Sequence, residues 1–346
     1  MKTIHSVAHV VTSLAFFLHF VAPVARAWDY EGHRLINQLA LDTLPANFPA
    51  FVKTPVARER IGFLGGEADR WRNTTDLSFK HCNGPDHYFD LDLLEAHKLD
   101  AAQLPIFRYD FAAQLLNARA ALAASLPPID ALKDSDKTKA LIGFLPWTIV
   151  EYQAKLKSAF SYLKEYETAG TTDEIANARE NIIYIMGVMG HFLGDATQPL
   201  HNTKHHHGWV GPNPKGYSTN YSIHSWIDGG YVNQFGVDPA KLRAKLRPAA
   251  SFGGSNVFAG VMIFLNEQFK QVEPLYELEK AGKLSGRREL SQEGHDFITG
   301  QLRAGAQTLG DLWLTAWQQA GPDMFLRSAL AKRKAAAESG ATKKTP

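Results

Sequence analysis

Apolar residues recur at helical spacing along most of this chain. In residues 28–44 they share one face, as Leu35 and Leu39 do, and the pattern stops at Pro45. The same kind of pattern predicts two short helices within 58–72 and longer helices at 107–126, 146–167, 172–193, 257–272 and 291–320. No pair of segments alternates with a period of two residues, so the pattern predicts an all-α protein.

Residues 172–193 are predicted to form the central buried helix. Asp173 and Glu174 provide the acidic first turn that favours a helix start. From Ile182 to Leu193 the segment is apolar on nearly all sides, which is typical of a helix inside a core. The stretches 73–106 and 202–220 are rich in turn-forming residues and are predicted loops. We therefore expect one multi-helix domain over residues 28–330.

The first 27 residues have the pattern of a secretory signal peptide. Lys2 precedes a mostly apolar run over residues 7–24, and Ala25 and Ala27 are the small residues that a signal peptidase needs. An uncleaved membrane anchor is the alternative, but the run is short for a span and its flank is weakly charged. We expect cleavage between Ala27 and Trp28, and a secreted or periplasmic monomer without stable membrane association.

The charge balance changes when the signal peptide is removed. Loss of Lys2 and Arg26 leaves 35 basic and 35 acidic residues. The low-complexity segment 331–346, which we expect to be a disordered tail, holds five basic residues against one acid, so the remainder has a net charge of about −4. Proteins that bind duplex nucleic acid by charge show the opposite balance. An anionic substrate would therefore be held by metal ions and a few local groups.

The cysteine content excludes a disulfide framework, because Cys82 is the only cysteine in the sequence. Stability must then come from an ordinary hydrophobic core. A mature chain of about 300 residues is long enough to bury one as a large single domain.

Residues 190–228 concentrate side chains that bind metals. His191 and Asp195 stand four residues apart, as do His224 and Asp228, and His201 lies between the two pairs. Residues four apart on a helix share a face, so each pair can bind a metal ion from its own helix. Imidazole with carboxylate suits zinc among the common metals. The segment predicts a multinuclear zinc site, with a hydrogen-bonded His–Asp pair as the alternative for either pair alone.

Three upstream residues are further candidate ligands, namely His33, Asp69 and His87. Taken singly, they are equally typical of a first-turn histidine, a surface helix acid and a loop histidine. Their significance depends on the motifs that contain them.

The combination of these motifs resembles a known family. The chain is similar to the trinuclear-zinc, single-strand-specific nucleases of fungi, plants and bacteria, whose superfamily also contains the bacterial zinc phospholipases C. The resemblance extends from Trp28 to the last helices. It rests on five motifs: WxxxGH at 28–33, ADxxR at 68–72, HYxD at 87–90, HxxxDxxxxxH at 191–201 and HxxxD at 224–228. It implies a helical bundle around a trinuclear zinc cleft.

The resemblance implies ligands for three zinc ions. One zinc would be bound by Asp69, His87, His191 and Asp195. A second would share Asp195 as a bridge and add His33 with the amine and carbonyl oxygen of Trp28. The third would be bound by His201, His224 and Asp228. The amine of Trp28 becomes free only after signal cleavage.

The resemblance also implies an activity, the hydrolysis of single-stranded DNA or RNA to 5′-phosphate products with 3′-nucleotidase activity. A hydroxide bridging two zinc ions at Asp195 would attack the phosphorus, and Arg72 would bind a non-bridging oxygen. Tyr88 would stack on an unpaired base and Asp90 would hydrogen-bond its edge. A surface cation for Arg72 and a loop-ordering role for Tyr88 and Asp90 are the alternatives.

Some positions depart from the family pattern. The loop after Asn202 lacks the glycine-rich segment of fungal members and contains Lys204 followed by His205, His206 and His207; substrate contact, stray metal binding and a solvated loop are all open, with the last favoured. Two other functions remain alternatives. One is a zinc-dependent phospholipase C acting on phospholipid headgroups, and the other is a non-catalytic zinc-binding periplasmic protein.

Overall fold

The computed structural model describes residues 28–342, so the predicted signal peptide and residues 343–346 lie outside the described residues. Within this range the regular elements are all helices, which confirms the all-α prediction. The α-helices are α1 Tyr30–Thr43, α2 Pro55–Leu64, α3 Glu67–Arg72, α4 Leu77–Asn83, α5 Leu93–Ala96, α6 Arg108–Ala121, α7 Leu145–Ala169, α8 Thr172–Thr197, α9 Ile223–Ser225, α10 Tyr231–Phe235, α11 Pro239–Arg243, α12 Val257–Phe269, α13 Val272–Lys280, α14 Gln292–Gln319 and α15 Met324–Thr342.

Helix α8 lies at the centre of the bundle, as its apolar sequence predicts. It packs against α1, α2, α7 and α14, and every residue from 186 to 197 is buried. Its N-terminus has a complete capping box, in which the Glu174 amide donates to the Thr171 hydroxyl and the Thr171 amide donates to the Glu174 carboxylate. The capped start and the buried end together place the last turns of α8 deep in the core.

Two glycines of α8 allow its neighbours to approach closely. A Cβ atom at Gly190 would lie 1.5 Å from Oδ1 of Asn37 in α1, and one at Gly187 would lie 2.5 Å from Cβ of Leu64 in α2. The Asn37 amide also donates to the carbonyl oxygens of Ile61 and Gly187, at 2.8 and 2.9 Å. Asn37 thus ties α1, α2 and α8 together at the level where the candidate ligands lie.

The observed boundaries differ from the predicted ones in three places. Helix α8 continues four residues beyond Leu193, to Thr197. The predicted loop 73–106 contains the short helices α4 and α5, each followed by further turns. The predicted helix at 257–272 ends at Phe269, and a separate helix, α13, begins at Val272. Short, capped helices escape a search for long apolar periodicity because they bury few residues.

The expectation of disorder from residue 331 also differs from the structure, in which α15 continues to Thr342. Alanine, lysine and arginine dominate this segment and are good helix formers. Arg327 forms two 2.9 Å hydrogen bonds with Glu165 of α7, and Arg333 binds Glu174 of α8. These ion pairs hold the helix against the bundle. The low-complexity composition indicated disorder. Composition carries no information about ion pairs with residues elsewhere in the chain.

The search for membrane-spanning helices, made over the described residues, finds none with the length and apolar character that a bilayer requires.

Candidate metal centre

Three groups of buried histidine and aspartate side chains meet at the C-terminal end of α8. Within each group, one ligand atom per residue lies within 4.8 Å of the others. The groups are His33 with His191 and Asp195, Asp69 with His87 and His191, and His201 with His224 and Asp228. The structure therefore brings together the eight predicted ligand side chains, which come from points in the sequence up to 195 residues apart.

His191 belongs to two of the groups and is oriented by the backbone. Its Nδ1 donates a 2.7 Å hydrogen bond to the carbonyl oxygen of Gly65, at the end of α2. This fixes the tautomer, so Nε2 carries a lone pair and faces the other ligands. That Nε2 lies 2.9 Å from Nδ1 of His87 and 3.8 Å from Oδ1 of Asp69.

Asp195 lies between the groups. Its Oδ2 is 2.9 Å from Nδ1 of His87 and 3.3 Å from Nε2 of His191. Its Oδ1 faces the opposite way, 3.5 Å from Nε2 of His33 and 3.9 Å from Nδ1 of His201. With one oxygen toward each neighbouring group, this carboxylate could serve both groups as a metal ligand.

The third group is assembled by a turn and a π-helix. His201 lies in the turn Pro199–Asn202, where its Nδ1 donates a 2.7 Å hydrogen bond to the His87 carbonyl oxygen. Its Nε2 faces Nε2 of His224 at 3.0 Å, and the latter lies 3.0 Å from Oδ2 of Asp228. Asp228 itself sits in a π-helical segment, Trp226–Gly230. The sequence predicted an ordinary helix there; π-turns are rare and often occur at functional sites.

The buried polar atoms of these groups fit cations better than they fit one another. Six of them have no hydrogen-bond partner, namely Nδ1 and Nε2 of His33, Nε2 of His87, Oδ1 of Asp195, Nδ1 of His224 and Oδ2 of Asp228. Burial lowers the pKa of His33 and His224 to about 3 and the pKa of His87 to about 4, so these imidazoles are neutral. Neutral imidazoles grouped with aspartate oxygens are ligands of the kind that metal ions require.

The ninth predicted ligand residue, Trp28, lies one turn before His33. Its side chain is fully buried, and its carbonyl oxygen accepts a 3.3 Å hydrogen bond from the His33 amide. Its amine is free only in a chain cut before Trp28, and residue 27 lies outside the described residues.

Arg72 is held at the edge of the same centre. Its Nε donates a 2.6 Å hydrogen bond to Oδ1 of Asp69, and the side chain is 18% exposed. Because the bond uses Nε, the terminal guanidinium nitrogens extend beyond Asp69. The charge of Arg72 acts on His201 and Asp228 as well, which places it among all three groups.

A cleft of about 530 Å³ opens on the third group. Its walls include Arg72, Tyr88, Asp90, His201 and His224. Tyr88 is half-buried, whereas the carboxyl of Asp90 is buried with Oδ1 lacking a hydrogen-bond partner. Burial, with the neighbouring charge of Asp92, raises the pKa of Asp90 well above its usual range. The structure thus brings both predicted substrate-binding residues into the cleft that reaches the candidate ligands.

Gly143 positions the loop that contains Tyr88. With a φ of +99°, it occupies the left-handed region that favours glycine, and an added Cβ would lie 1.9 Å from the Tyr88 carbonyl oxygen. The amide of Asp90 donates to the Ile142 carbonyl at 2.8 Å, and the amide of Leu145 donates to the Tyr88 carbonyl at 3.2 Å. The segment 142–145 therefore fixes the backbone of the Tyr88 loop by hydrogen bonds and close contact.

The three consecutive histidines do not form a solvated loop. His205 is buried and stacks on Trp209, with ring centroids 3.8 Å apart. His206 and His207 are half-buried and line the cleft, where their ring centroids lie 6.0 and 5.1 Å from that of His224. The structure thus places this loop beside the third group, which its composition alone did not indicate.

Sequence reasoning missed the side chains that orient the ligands. Gln198 donates a hydrogen bond from Nε2 to Oδ1 of Asp228, while its Oε1 accepts from the Leu200 amide at 2.7 Å. The polar Gln198 directly after a buried helix was the available signal, because a buried amide requires partners. Gly194, against which the ring of His33 packs, had no comparable signal in the sequence.

Comparison with known proteins adds no family assignment: no protein-family model, curated protein or solved structure matches the chain significantly.

Proposed function

We propose that the protein is a zinc-dependent phosphodiesterase that hydrolyses single-stranded DNA or RNA to 5′-phosphate products and has 3′-nucleotidase activity. One observation supports this above others: three buried His/Asp groups adjoin a cleft that presents a guanidinium, an aromatic ring and an unpaired carboxyl. The family resemblance of the five sequence motifs supports the same function.

Three zinc ions per chain are the proposed cofactors. The groups around Asp195 would hold two of them, with Trp28 completing the one at His33, and His201, His224 and Asp228 would hold the third. Zinc bound by such ligands lowers the pKa of water toward neutrality and neutralises charge on a phosphate. Backbone carbonyl oxygens orient His191 and His201, and Gln198 orients Asp228. Burial keeps the imidazoles of His33, His87 and His224 neutral.

Arg72 is the proposed ligand for the phosphate oxygens. Asp69 fixes its Nε, so the terminal nitrogens are oriented before the substrate arrives. A preorganised guanidinium stabilises the extra negative charge that develops on a phosphoryl group during displacement. Because Arg72 is largely buried, this interaction is screened less than it would be in water.

Tyr88 and Asp90 are the proposed base-binding residues. An aromatic side chain in a cleft can stack on a base only when that base is unpaired, which favours single strands. The raised pKa of Asp90 favours its protonated form, in which the carboxyl can both donate to and accept from a base edge. This recognition does not require a basic groove, in agreement with the balanced charge of the mature chain.

The proposed setting is a secreted or periplasmic monomer. The predicted signal peptide would direct the chain out of the cytoplasm, and its removal would free the Trp28 amine to bind metal. A chain that acquires this ligand only after cleavage would become fully active only after export.

The processed protein, loaded with zinc, tests the proposal. We expect hydrolysis of single-stranded DNA, single-stranded RNA and a 3′-mononucleotide, with 5′-phosphate ends on the products and slow turnover of a matched duplex. Hydrolysis of phosphatidylcholine without turnover of nucleic acid would identify a phospholipase C instead. Bound zinc with no hydrolysis of bis-nitrophenyl phosphate would support the non-catalytic alternative.

A further inference from the structure

Two lysines line the cleft without an acidic partner. Lys139 comes from the loop before α7 and Lys204 from the histidine loop. Neither ammonium group forms an ion pair with any residue in the described part of the chain. A third lysine of the cleft, Lys80, differs from them because it lies 3.6 Å from Asp136. The charge of Lys139 acts on Asp136 without a direct ion pair, so both ammonium groups can contact a ligand in the cleft.

The backbone at each lysine is fixed by a carboxylate. The Lys139 amide donates to Oδ1 of Asp134, which is buried, and the Lys204 amide donates to Oδ1 of Asp92, both at 3.1 Å. Asp92 also accepts a 2.8 Å hydrogen bond from the Thr203 hydroxyl. Two loops are thus held so that both lysines line the cleft.

The charges of both lysines act on Asp90, which lines the same cleft. Burial and Asp92 raise the pKa of Asp90, and the charges of Lys204 and Lys139 act against this rise. Arg72 is the cation whose charge acts on His201 and Asp228. The cleft therefore has one cation at the candidate metal centre and two more near the proposed base-binding carboxyl.

We infer that Lys139 and Lys204 form a binding site for a second backbone phosphate, next to the phosphate that is cleaved. This inference rests on the proposed function and specifies its substrate as an oligonucleotide rather than a mononucleotide. A phosphodiester carries one negative charge, and lysine binds it as a mobile point charge without reading the base.

The histidine loop gives this site its position. His205, stacked on Trp209 and 3.6 Å from Asp92, anchors the segment that presents Lys204. Asp92 follows the Tyr88 and Asp90 loop by two residues, so one carboxylate connects the base-binding loop to the lysine. A nucleotide held at Tyr88 would therefore have its flanking phosphate within the reach of the two lysines.

A pair of hexathymidylates tests the inference. One has ordinary phosphodiester linkages, and the other has a single cleavable phosphodiester among uncharged methylphosphonates. We expect the zinc-loaded wild type to cleave the charged substrate with a kcat/KM at least about tenfold higher, since charged hydrogen bonds are worth this much. The double variant Lys139→Ala/Lys204→Ala should lose this preference and cleave the methylphosphonate substrate as the wild type does.

A matched control and a salt series complete the experiment. Lys241→Ala/Lys245→Ala removes two exposed lysines outside the cleft, changes the net charge equally and should keep the preference. For the charged substrate, the slope of log(kcat/KM) against log[salt] should fall by about 0.7 in the cleft variant, since each single-strand phosphate contact contributes about 0.7 and the two lysines share one phosphate.

Several outcomes would overturn the inference. Equal losses on both substrates would show that the lysines act on the cleaved phosphate, and no loss on either would show that they bind nothing. Equal rates of the wild type on the two substrates would overturn the inference alone. Failure of the wild type to cleave either substrate or bis-nitrophenyl phosphate would overturn the proposed function as well.

Discussion

The imidazole of His33 lies directly against the backbone of Gly194. A Cβ atom at Gly194 would stand 2.4 Å from Nδ1 and 2.7 Å from Cε1 of that ring. The absence of a side chain at Gly194 is therefore what allows α1 to place His33 beside Asp195. The ring of His33 also stacks on that of His191, with centroids 4.0 Å apart, so it has no room to move the other way.

The substitution Gly194→Ala should displace His33 from the centre. The methyl group cannot be accommodated without moving the ring or separating α1 from α8, which costs about 1–3 kcal/mol in a packed core. We expect a lower zinc content, a reduced melting temperature and a large loss of hydrolysis. Gly300→Ala is the matched control: Gly300 also lies in a helix, α14, and has nothing within 4 Å of an added Cβ. Unchanged zinc content in Gly194→Ala would contradict the role of His33.

The substitution Asp195→Asn tests whether Asp195 is shared by two metal ions. An amide keeps the shape but removes the negative charge shared by two groups, so we expect loss of two zinc ions and nearly all activity. Activity within about tenfold of wild type, a loss below ~1.4 kcal/mol of transition-state stabilisation, would rule out bridging. Glu180→Gln makes the same chemical change at an exposed site on α8 and should leave zinc content, measured by elemental analysis, unchanged.

The mature N-terminus provides a test that changes no side chain. One additional alanine before Trp28 moves the free amine away from the buried Trp28 and its carbonyl oxygen. We expect about one zinc ion fewer per chain, because a peptide nitrogen is a poor ligand where an amine is a good one. The control carries the additional alanine after Pro346. Full zinc stoichiometry in the N-terminally extended protein would exclude the amine as a ligand.

Gly143→Ala should impair substrate binding more than chemistry. The added methyl group meets the Tyr88 carbonyl and must shift the loop that holds the ring. We expect kcat/KM for single-stranded DNA to fall by about tenfold or more, since base stacking is worth about 1–3 kcal/mol. Hydrolysis of bis-nitrophenyl phosphate, which has no base, should fall less.

The control for this loop is Gly211→Ala, because Gly211 also has a positive φ, +80°, but nothing within 4 Å of an added Cβ. Zinc content, measured on the same samples, separates displacement of Tyr88 from loss of the adjacent candidate ligand His87. Equal losses with DNA and with bis-nitrophenyl phosphate would show that the substitution acts on the metal centre instead.

The candidate ligands were predictable because their signal is local. His191 and Asp195 share a helix face by spacing alone, and the apolar run around them predicts that this face is buried. The grouping of Asp69 and His87 with them required motif resemblance, since nothing in either segment specifies a contact across more than 100 residues. The structure brings these residues together.

Other features depend on relationships that no single segment contains. The π-turn at Asp228 coincides with Gly229, where a Cβ would lie 2.6 Å from Cβ of Asp29. Neither the π-turn nor the contact between Gly229 and Asp29 could be inferred from local propensity. The same is true of Gly143, whose positive φ matters only because Tyr88 packs against it. Lys139 and Lys204 are ordinary loop lysines in the sequence, and only the fold places them in one cleft.

The ligand groups and the cleft are built from different kinds of structure. Four candidate ligands lie on helices, namely His33 on α1, Asp69 on α3, and His191 and Asp195 on α8, whereas Tyr88, Lys139 and Lys204 are carried by loops that are held in place by hydrogen bonds to single carboxylates or by contact with one glycine. Exchanging a loop leaves the helical packing in place. Substrate preference can therefore diverge among descendants of this chain, or be redesigned by grafting the Lys139 loop, which carries no candidate ligand, while the buried centre is inherited unchanged.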